Sequence, residues 1–319
     1  MNKVEIIKIL KSNDSTVLSF PERGPWGDSK YRGNCSGFVQ AFLMWKYNVK
    51  KFAELFAGSG TGYDVARDMG ISYVGADLNP NPVRPGILVC NAVTDEVPEA
   101  FYGADMVFMH PPYGKEIHIP YAGSMYKDPT GELSKSDLGQ MPWDDFMKEL
   151  NSIVMKYYAA MDKGSRMSIL MGDVRRNGLH SMLNDIVKPG ELEQIIIKMQ
   201  HNTVSGRSGN SYGGFKKFVP LVHEYILVLK KNGTFQIVYQ FPKKVSSDIR
   251  DAKSSTWRDV VYAALKGQGK MSLDEIYSQV ENHEKAKHNE HWKEKIRQTL
   301  QMSNLFKSVE RGVWSLNIA

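Results

Sequence analysis

Cysteine is scarce in this chain: Cys35 and Cys90 are the only two among 319 residues. Two thiols cannot build a disulfide framework or a cysteine-based zinc site. The sequence also lacks any apolar run of about 18 residues, the length a membrane-spanning helix needs. No internal repeat or low-complexity tract is visible, which removes solenoids and coiled coils. The first residues, MNKVEIIKILKSND, mix charges and carry no small-residue cleavage site, so a secretory signal is not expected. A cytoplasmic protein without membrane contact is the expectation. Charge of one sign is only mildly in excess: 41 Lys and Arg against 35 Asp and Glu leave +6. That is compatible with a polyanionic partner but does not require one.

What is present is alternation of strand and helix patterns. Apolar runs at 49–56 (VKKFAELF), 72–76 (SYVGA), 87–90 (ILVC), 104–109 (ADMVFM) and 166–171 (RMSILM) read as strands. Helical patterns stand at 38–47, 63–69 and 143–161, and two more apolar runs follow at 194–199 and 223–229. Strands alternating with helices at this spacing imply βαβ units and an α/β fold with a doubly wound, mostly parallel sheet. Residues 114–141 and 203–215 (TVSGRSGNSYGGF) have little periodicity, and loops of this length in a folded domain are usually functional or disordered.

A polar stretch at 242–256 (PKKVSSDIRDAKSST) divides a domain at 1–241 from one at 257–319. The second begins its patterning with a capping box, Ser272-Leu273-Asp274-Glu275. A helix at 290–303 follows, with Trp292, Ile296 and Leu300 on one face, and then two short strands at 305–309 and 312–316. That is the order of a winged helix-turn-helix.

Two constellations carry chemistry. The first is Phe56-Ala57-Gly58-Ser59-Gly60-Thr61-Gly62, between a strand and a helix, where glycines let backbone approach a ligand and a helix N-terminus favours an anion. Asp77 ends the next strand, placed to accept hydrogen bonds from ribose hydroxyls. A sharp βα turn with a turn aspartate would look similar. The second is His110-Pro111-Pro112-Tyr113, at the carboxyl end of the fourth strand. Consecutive prolines end the ladder and stiffen the backbone, which presents the Pro111 carbonyl and the Tyr113 ring in a fixed geometry.

Together these motifs resemble the amino-methyltransferases of nucleic-acid bases. Their hallmark is (Asp/Asn/Ser)-Pro-Pro-(Tyr/Phe/Trp) downstream of a Phe-x-Gly-x-Gly loop. The resemblance covers residues 31–231 and implies a Rossmann-like class I methyltransferase domain using S-adenosylmethionine, with no metal. On that resemblance Glu54, Phe56 and the Gly58–Gly60 loop flank the methionine moiety. Asp77 and Leu78 hold the ribose, and Asn91 and Ala92 meet the adenine. Tyr31, Asn34 and Ser36 belong to a segment that closes over the methionine carboxylate. The implied reaction is methylation of adenine N6 in double-stranded DNA, in restriction–modification, phage self-protection or epigenetic marking. Cytosine N4, RNA, or a non-catalytic DNA- or cofactor-binding subunit are the alternatives. A second copy of the chain or a restriction–modification subunit would be compatible partners in a bacterial or phage-infected cell.

In the implied mechanism, His110 and the Pro111 carbonyl accept the amine's hydrogens, while Tyr113 stacks on a flipped base. Histidine departs from the motif, since it accepts through only one nitrogen of its neutral form. It can be a tuned acceptor, a positioning group beside the Pro111 carbonyl, or the mark of an inactive site. The first reading predicts loss of activity on acidification through about 6.5. Gly172-Asp173-Val174-Arg175-Arg176 after the fifth strand is either a polar turn near the base or a surface type I turn.

Positive charge concentrates in 198–231, where Lys198, Arg207, Lys216, Lys217, Lys230 and Lys231 face Glu224 alone. With Tyr212 and Phe215 these residues suit phosphate contact and base stacking, or simply a solvated loop. Lys115, His118, Tyr121, Tyr126 and Lys127 mark residues 114–141 as a second DNA-facing loop, expected to order on binding. In the tail, Lys293 and Arg297 are the residues a recognition helix would expose, although ten basic and eight acidic side chains nearly balance there. His283, His288 and His291 read as surface residues.

Overall fold

Along the central strands successive apolar side chains turn to opposite sides, because a strand's side-chain period is two. Phe52, Met106, Phe108, Leu170, Ile226 and Val228 enter one buried cluster. Ala53, Leu55, Val107, Met109, Ile169 and Leu227 enter the other. Both faces are therefore covered, and each fully buried large aliphatic side chain contributes about 1.5–3 kcal/mol. The computed structural model describes residues 1–117, 119–128, 130–176, 178–201, 219–233, 239–240 and 256–317. The chain forms two compact units, Met1–Pro242 and Lys243–Ala319.

The strands of the first unit's main sheet are β1 (Val17–Leu18), β2 (Lys51–Leu55), β3 (Ser72–Asp77), β4 (Ile87–Val89), β5 (Met106–Met109), β6 (Arg166–Met171), β7 (Glu191–Met199) and β8 (His223–Lys230). They lie in the order β1-β7-β8-β6-β5-β2-β3-β4. Strands β4-β3-β2-β5-β6 run parallel. β8 is antiparallel to both neighbours, β6 and β7. The sheet is thus mostly parallel with an inserted reversed strand. From β2 the chain goes outward to β3 and later to β5 on the other side. The carboxyl ends of β2 and β5 therefore border the switch point where α/β sheets bind ligands.

Helices α1 (Lys3–Lys11), α2 (Gly37–Lys46) and α3 (Thr61–Met69) cover one face, through Ile6, Leu10, Phe38, Phe42, Val65 and Met69. The other face is covered by α4 (Trp143–Ala160), which buries Phe146, Leu150, Ile153, Val154 and Tyr157. No element was expected from the first residues, yet Asn2 and Glu5 form a reciprocal capping box that starts α1. Residues 114–141, expected to have little regular structure, carry a series of short helical turns. Short helical turns there are held by the buried Asp137, which accepts from the backbone N–H groups of Ala122 and Gly139.

The second unit contains α5 (Trp257–Leu265), β9 (Lys270–Ser272), α6 (Leu273–Val280), a short helix Glu284–Lys287, α7 (Trp292–Met302), β10 (Phe306–Glu310) and β11 (Val313–Leu316). Capping boxes at Thr256–Asp259 and Ser272–Glu275 start α5 and α6. The antiparallel order is β9-β11-β10, over a core that includes Val261, Ile276, Ile296 and Leu300. Glu290 and His291 precede α7 rather than join it. Of the stretch at 242–256, only Thr256 lies within the described residues. Among the described residues no helix is long and apolar enough to cross a membrane.

Candidate active site

The turn after β2 is shaped by close approach. Phe56 has φ 64° and Gly58 φ +51°, so the chain leaves the strand through left-handed backbone. A Cβ at Gly58 would stand 3.1 Å from the Tyr31 ring, and one at Gly62 would stand 2.2 Å from Glu54 Oε2. Helix α3 consequently packs directly on the Glu54 carboxyl. Glu54 is buried, with Gln40 Nε2 donating to Oε1 at 2.5 Å and the Tyr73 hydroxyl to Oε2 at 2.6 Å. Burial pushes its carboxyl up to about 8, against those two hydrogen bonds. Among the described residues Gln40 Oε1, itself buried, has no hydrogen-bond partner.

Asp77 ends β3 beside this turn. The N–H of Gly58 donates to its Oδ2 at 2.8 Å and that of Asn79 to its Oδ1 at 2.9 Å. Burial raises its pKa, while these N–H groups and the Tyr126 hydroxyl oppose the rise. The segment before α2 folds back over the turn, where Thr61 Oγ1 donates to Asn34 Oδ1 at 2.7 Å. Tyr31, Tyr121 and Tyr126 form a wall, with ring centroids 6.2 Å apart in both neighbouring pairs.

These groups line a single cavity at the carboxyl ends of β2, β3 and β5, the place where α/β sheets bind small ligands. Of the residues expected to hold a cofactor, Tyr31, Asn34, Glu54, Phe56, Gly58, Asp77, Leu78, Asn91 and Ala92 line it. Gly60 shapes the turn from outside the lining. Ser36 is turned away, its hydroxyl donating to the Arg23 carbonyl at 3.3 Å. Gln40, Ser136 and Asp137 also line the cavity and were not anticipated, and Tyr121 and Tyr126, expected in a DNA-facing loop, line it too. A buried glutamine inside an apolar helix was the one available signal for Gln40.

His110 and Pro112 line the same cavity, whereas Pro111 and Tyr113 stand behind it. The Tyr113 hydroxyl donates to Glu224 Oε1 at 2.9 Å and lies 3.3 Å from His110 Nε2. Glu224 Oε2 pairs with Lys198 Nζ at 2.6 Å, and both side chains are largely buried. Burial alone would raise the Glu224 carboxyl, but the Lys198 ammonium and its hydrogen bonds outweigh it and hold it at about 2. Burial lowers His110 to about 4, so its ring is neutral at physiological pH. The acid threshold expected near 6.5 therefore moves down by more than two pH units.

Glu224 and Lys198 were missed as site residues, and Lys198 was read as part of a basic surface. Lys231 is likewise buried, its ammonium donating to the carbonyls of Ala159 and Met161. Arg207, Tyr212, Lys216 and Lys217 lie outside the described residues. Lys115 is exposed on a short helix, away from the cavity lining. Residues Asp173–Arg175 pair with Leu179–Ser181 as a ribbon rather than forming a type I turn. Gly172 lies against Tyr113, where a Cβ would be 3.2 Å from the ring. In the second unit Lys293 lies over the rings of Tyr277 and Trp292, and Arg297 pairs with Glu294 at 2.9 Å.

No protein-family profile matches the chain, and no curated protein matches it. Among solved structures it is similar to TrmN from Thermus thermophilus, at 15% identity over 63% of this chain and 50% of that one, with a TM-score of 0.38. The chain thus spans about half the length of that protein. It is also similar to a SAM-dependent methyltransferase from Archaeoglobus fulgidus, at 12% identity over 63% and 96% of the two chains, TM-score 0.33. A third is a putative class I S-adenosylmethionine-dependent methyltransferase from Listeria monocytogenes, at 14% identity over 77% and 72%, TM-score 0.33.

Proposed function

We propose that the chain is an S-adenosylmethionine-dependent methyltransferase acting on an exocyclic amino group of a nucleic-acid base, with adenine N6 in DNA as the first choice. One observation carries the reading: the glycine turn with Asp77 and, from the turn after β5, His110 and Pro112 line a single cavity at the sheet's switch point.

The residues present fit the cofactor. Gly58 leaves room that a Cβ would fill against Tyr31. Asp77, with one backbone donor on each oxygen, keeps lone pairs for ribose hydroxyls. Gln40 Oε1 is a buried acceptor in the lining with no hydrogen-bond partner among the described residues, and Glu54 beside it suits an ammonium. When bound, the cofactor supplies an electrophilic methyl group on a sulfonium. An exocyclic amine is a poor nucleophile because its lone pair is delocalised into the ring. His110, neutral and lining the cavity, would accept one of its hydrogens and localise that pair. The rigid Pro-Pro turn that follows fixes the backbone from which this acceptor projects.

The aromatic and basic residues at 203–217 and the helix–helix–helix–hairpin order of the second unit favour DNA as the polymer. In that unit a winged-helix role would place Lys293 and Arg297 toward phosphates, with contact to another protein as the rival. The test is incubation with radiolabelled S-adenosylmethionine and DNA or RNA, followed by nucleoside mass spectrometry. N6-methyladenine in DNA supports the reading and N4-methylcytosine changes the base. Label in RNA alone changes the polymer. No incorporation at saturating cofactor overturns the catalytic reading in favour of a binding subunit.

A further inference from the structure

The hydrogen-bond chain behind the cavity constrains a proton that the sequence motif leaves undetermined. Lys198 Nζ can only donate, and an ionised carboxylate can only accept. Glu224, paired with Lys198 at 2.6 Å, therefore takes the single hydroxyl hydrogen of Tyr113 at 2.9 Å. The Tyr113 oxygen is then left as an acceptor. His110 Nε2, 3.3 Å away, must carry the hydrogen that it shares with that oxygen. In a neutral imidazole the other nitrogen then holds a lone pair. Nδ1 has no hydrogen-bond partner among the described residues, and the ring lines the cavity.

We infer that Lys198, Glu224 and Tyr113 are positioning residues that fix His110 as the Nε2–H tautomer and so present Nδ1 to the amino group of the base. This inference rests on the proposed function for its substrate, but not for its geometry. It explains how histidine stands where related motifs use an oxygen acceptor. An Asp or Asn side chain offers an acceptor oxygen regardless of tautomer, whereas histidine needs a second group to choose the nitrogen. The groups that face the ring are Tyr113 from its own turn, Glu224 from β8 and Lys198 from β7. Cys35 and Tyr121 act on Tyr113 electrostatically, after burial and Glu224. Gly172 gives the Tyr113 ring its place, since a side chain there would press on both Tyr113 and Glu224.

The test has two arms on the full chain. Nitrogen-15 spectra of histidine-labelled protein, with His110 assigned by loss of its signals in His110→Asn, read the tautomer without any substrate. The expected result is a neutral Nε2–H ring from pH 5.5 to 8 in the wild type, and a mixture of tautomers in Tyr113→Phe. An imidazolium at pH 6, or an Nδ1–H ring, overturns the inference. In the kinetic arm Tyr113→Phe, which keeps the aromatic ring, lowers kcat about 10- to 100-fold, with the cofactor KM nearly unchanged. In a His110→Asn background the same substitution costs less than about threefold, because an amide oxygen needs no tautomer. Equal losses in both backgrounds would reduce the network to a structural one and overturn its positioning role. Failure of the wild type to methylate any nucleic acid would instead overturn the functional reading, while the spectra still decide the tautomer.

Discussion

On the β2–β3 side of the cavity, Asp77 reaches Gly58 across 19 residues of chain; on the β5–β8 side, Tyr113 reaches Glu224 across 111. The first side is backbone-built: a left-handed turn, N–H groups on a carboxylate, and a glycine that lets a helix rest on Glu54. The second is side-chain-built, an ion pair and two hydroxyl or ring hydrogen bonds joining three strands. Backbone sites of this kind tolerate sequence change around them. Side-chain networks fail as units when one member is removed.

The largest expected effect lies on the side-chain-built half. Lys198→Met leaves Glu224 buried and unpaired, at a cost of about 3–5 kcal/mol at pH 7. The sign with pH is fixed by Glu224, held at about 2 against an ordinary 4.5. Its ionic contribution is complete above pH 4.5 and fades as pH falls toward 2, so the variant's deficit should shrink on acidification. Urea unfolding at pH 7 and pH 4 measures it. A cost below about 1 kcal/mol at pH 7 would class the pair with exposed ones and erase the contrast.

On the backbone-built half, Asp77→Ala strands the N–H groups of Gly58 and Asn79 and should weaken S-adenosylmethionine binding about 100-fold by calorimetry. Unchanged affinity would detach Asp77 from the cofactor. Gly62→Ala drives a methyl group into Glu54 and should cost about 1–3 kcal/mol of stability, read as a lowered unfolding midpoint. A smaller effect is a null one: with His110 held down to about 4, the rate should stay flat between pH 5.5 and 8. An inflection near 6.5 would show the ring solvated rather than buried. Smallest is a proton count. Glu54, raised to about 8, is protonated at pH 7, and a cofactor ammonium beside it lowers that value. Binding in buffers of different ionisation enthalpy should then release up to about one proton, and Glu54→Gln should abolish the release.

The same contrast explains what the sequence made legible. Glu54, the glycine turn and Asp77 are read within one βαβ unit, because their partners are local and backbone conformation dictates the residue types. His110-Pro111-Pro112-Tyr113 is read for the same reason. Glu224 sits inside HEYILVL, where an apolar period conceals it, and its partners Lys198 and Tyr113 are brought near only by the reversed strand β8. Net charge misled in parallel. Lys198 and Lys231 counted as surface cations, yet one neutralises a buried carboxylate and the other caps the carbonyls of Ala159 and Met161. Segment 114–141 seemed structureless since its order comes from Asp137 and other side chains gripping backbone, a pattern without periodicity. Asn2-x-x-Glu5 was a readable capping box ahead of α1.

The measurement that bears most directly on the account is methyl transfer from labelled S-adenosylmethionine to DNA by the wild type and by His110→Ala. The expected result is N6-methyladenine from the wild type, and from His110→Ala a kcat lowered at least about 100-fold with cofactor affinity intact. Methylation unaffected by His110→Ala, or cofactor binding without transfer to any nucleic acid, would contradict it.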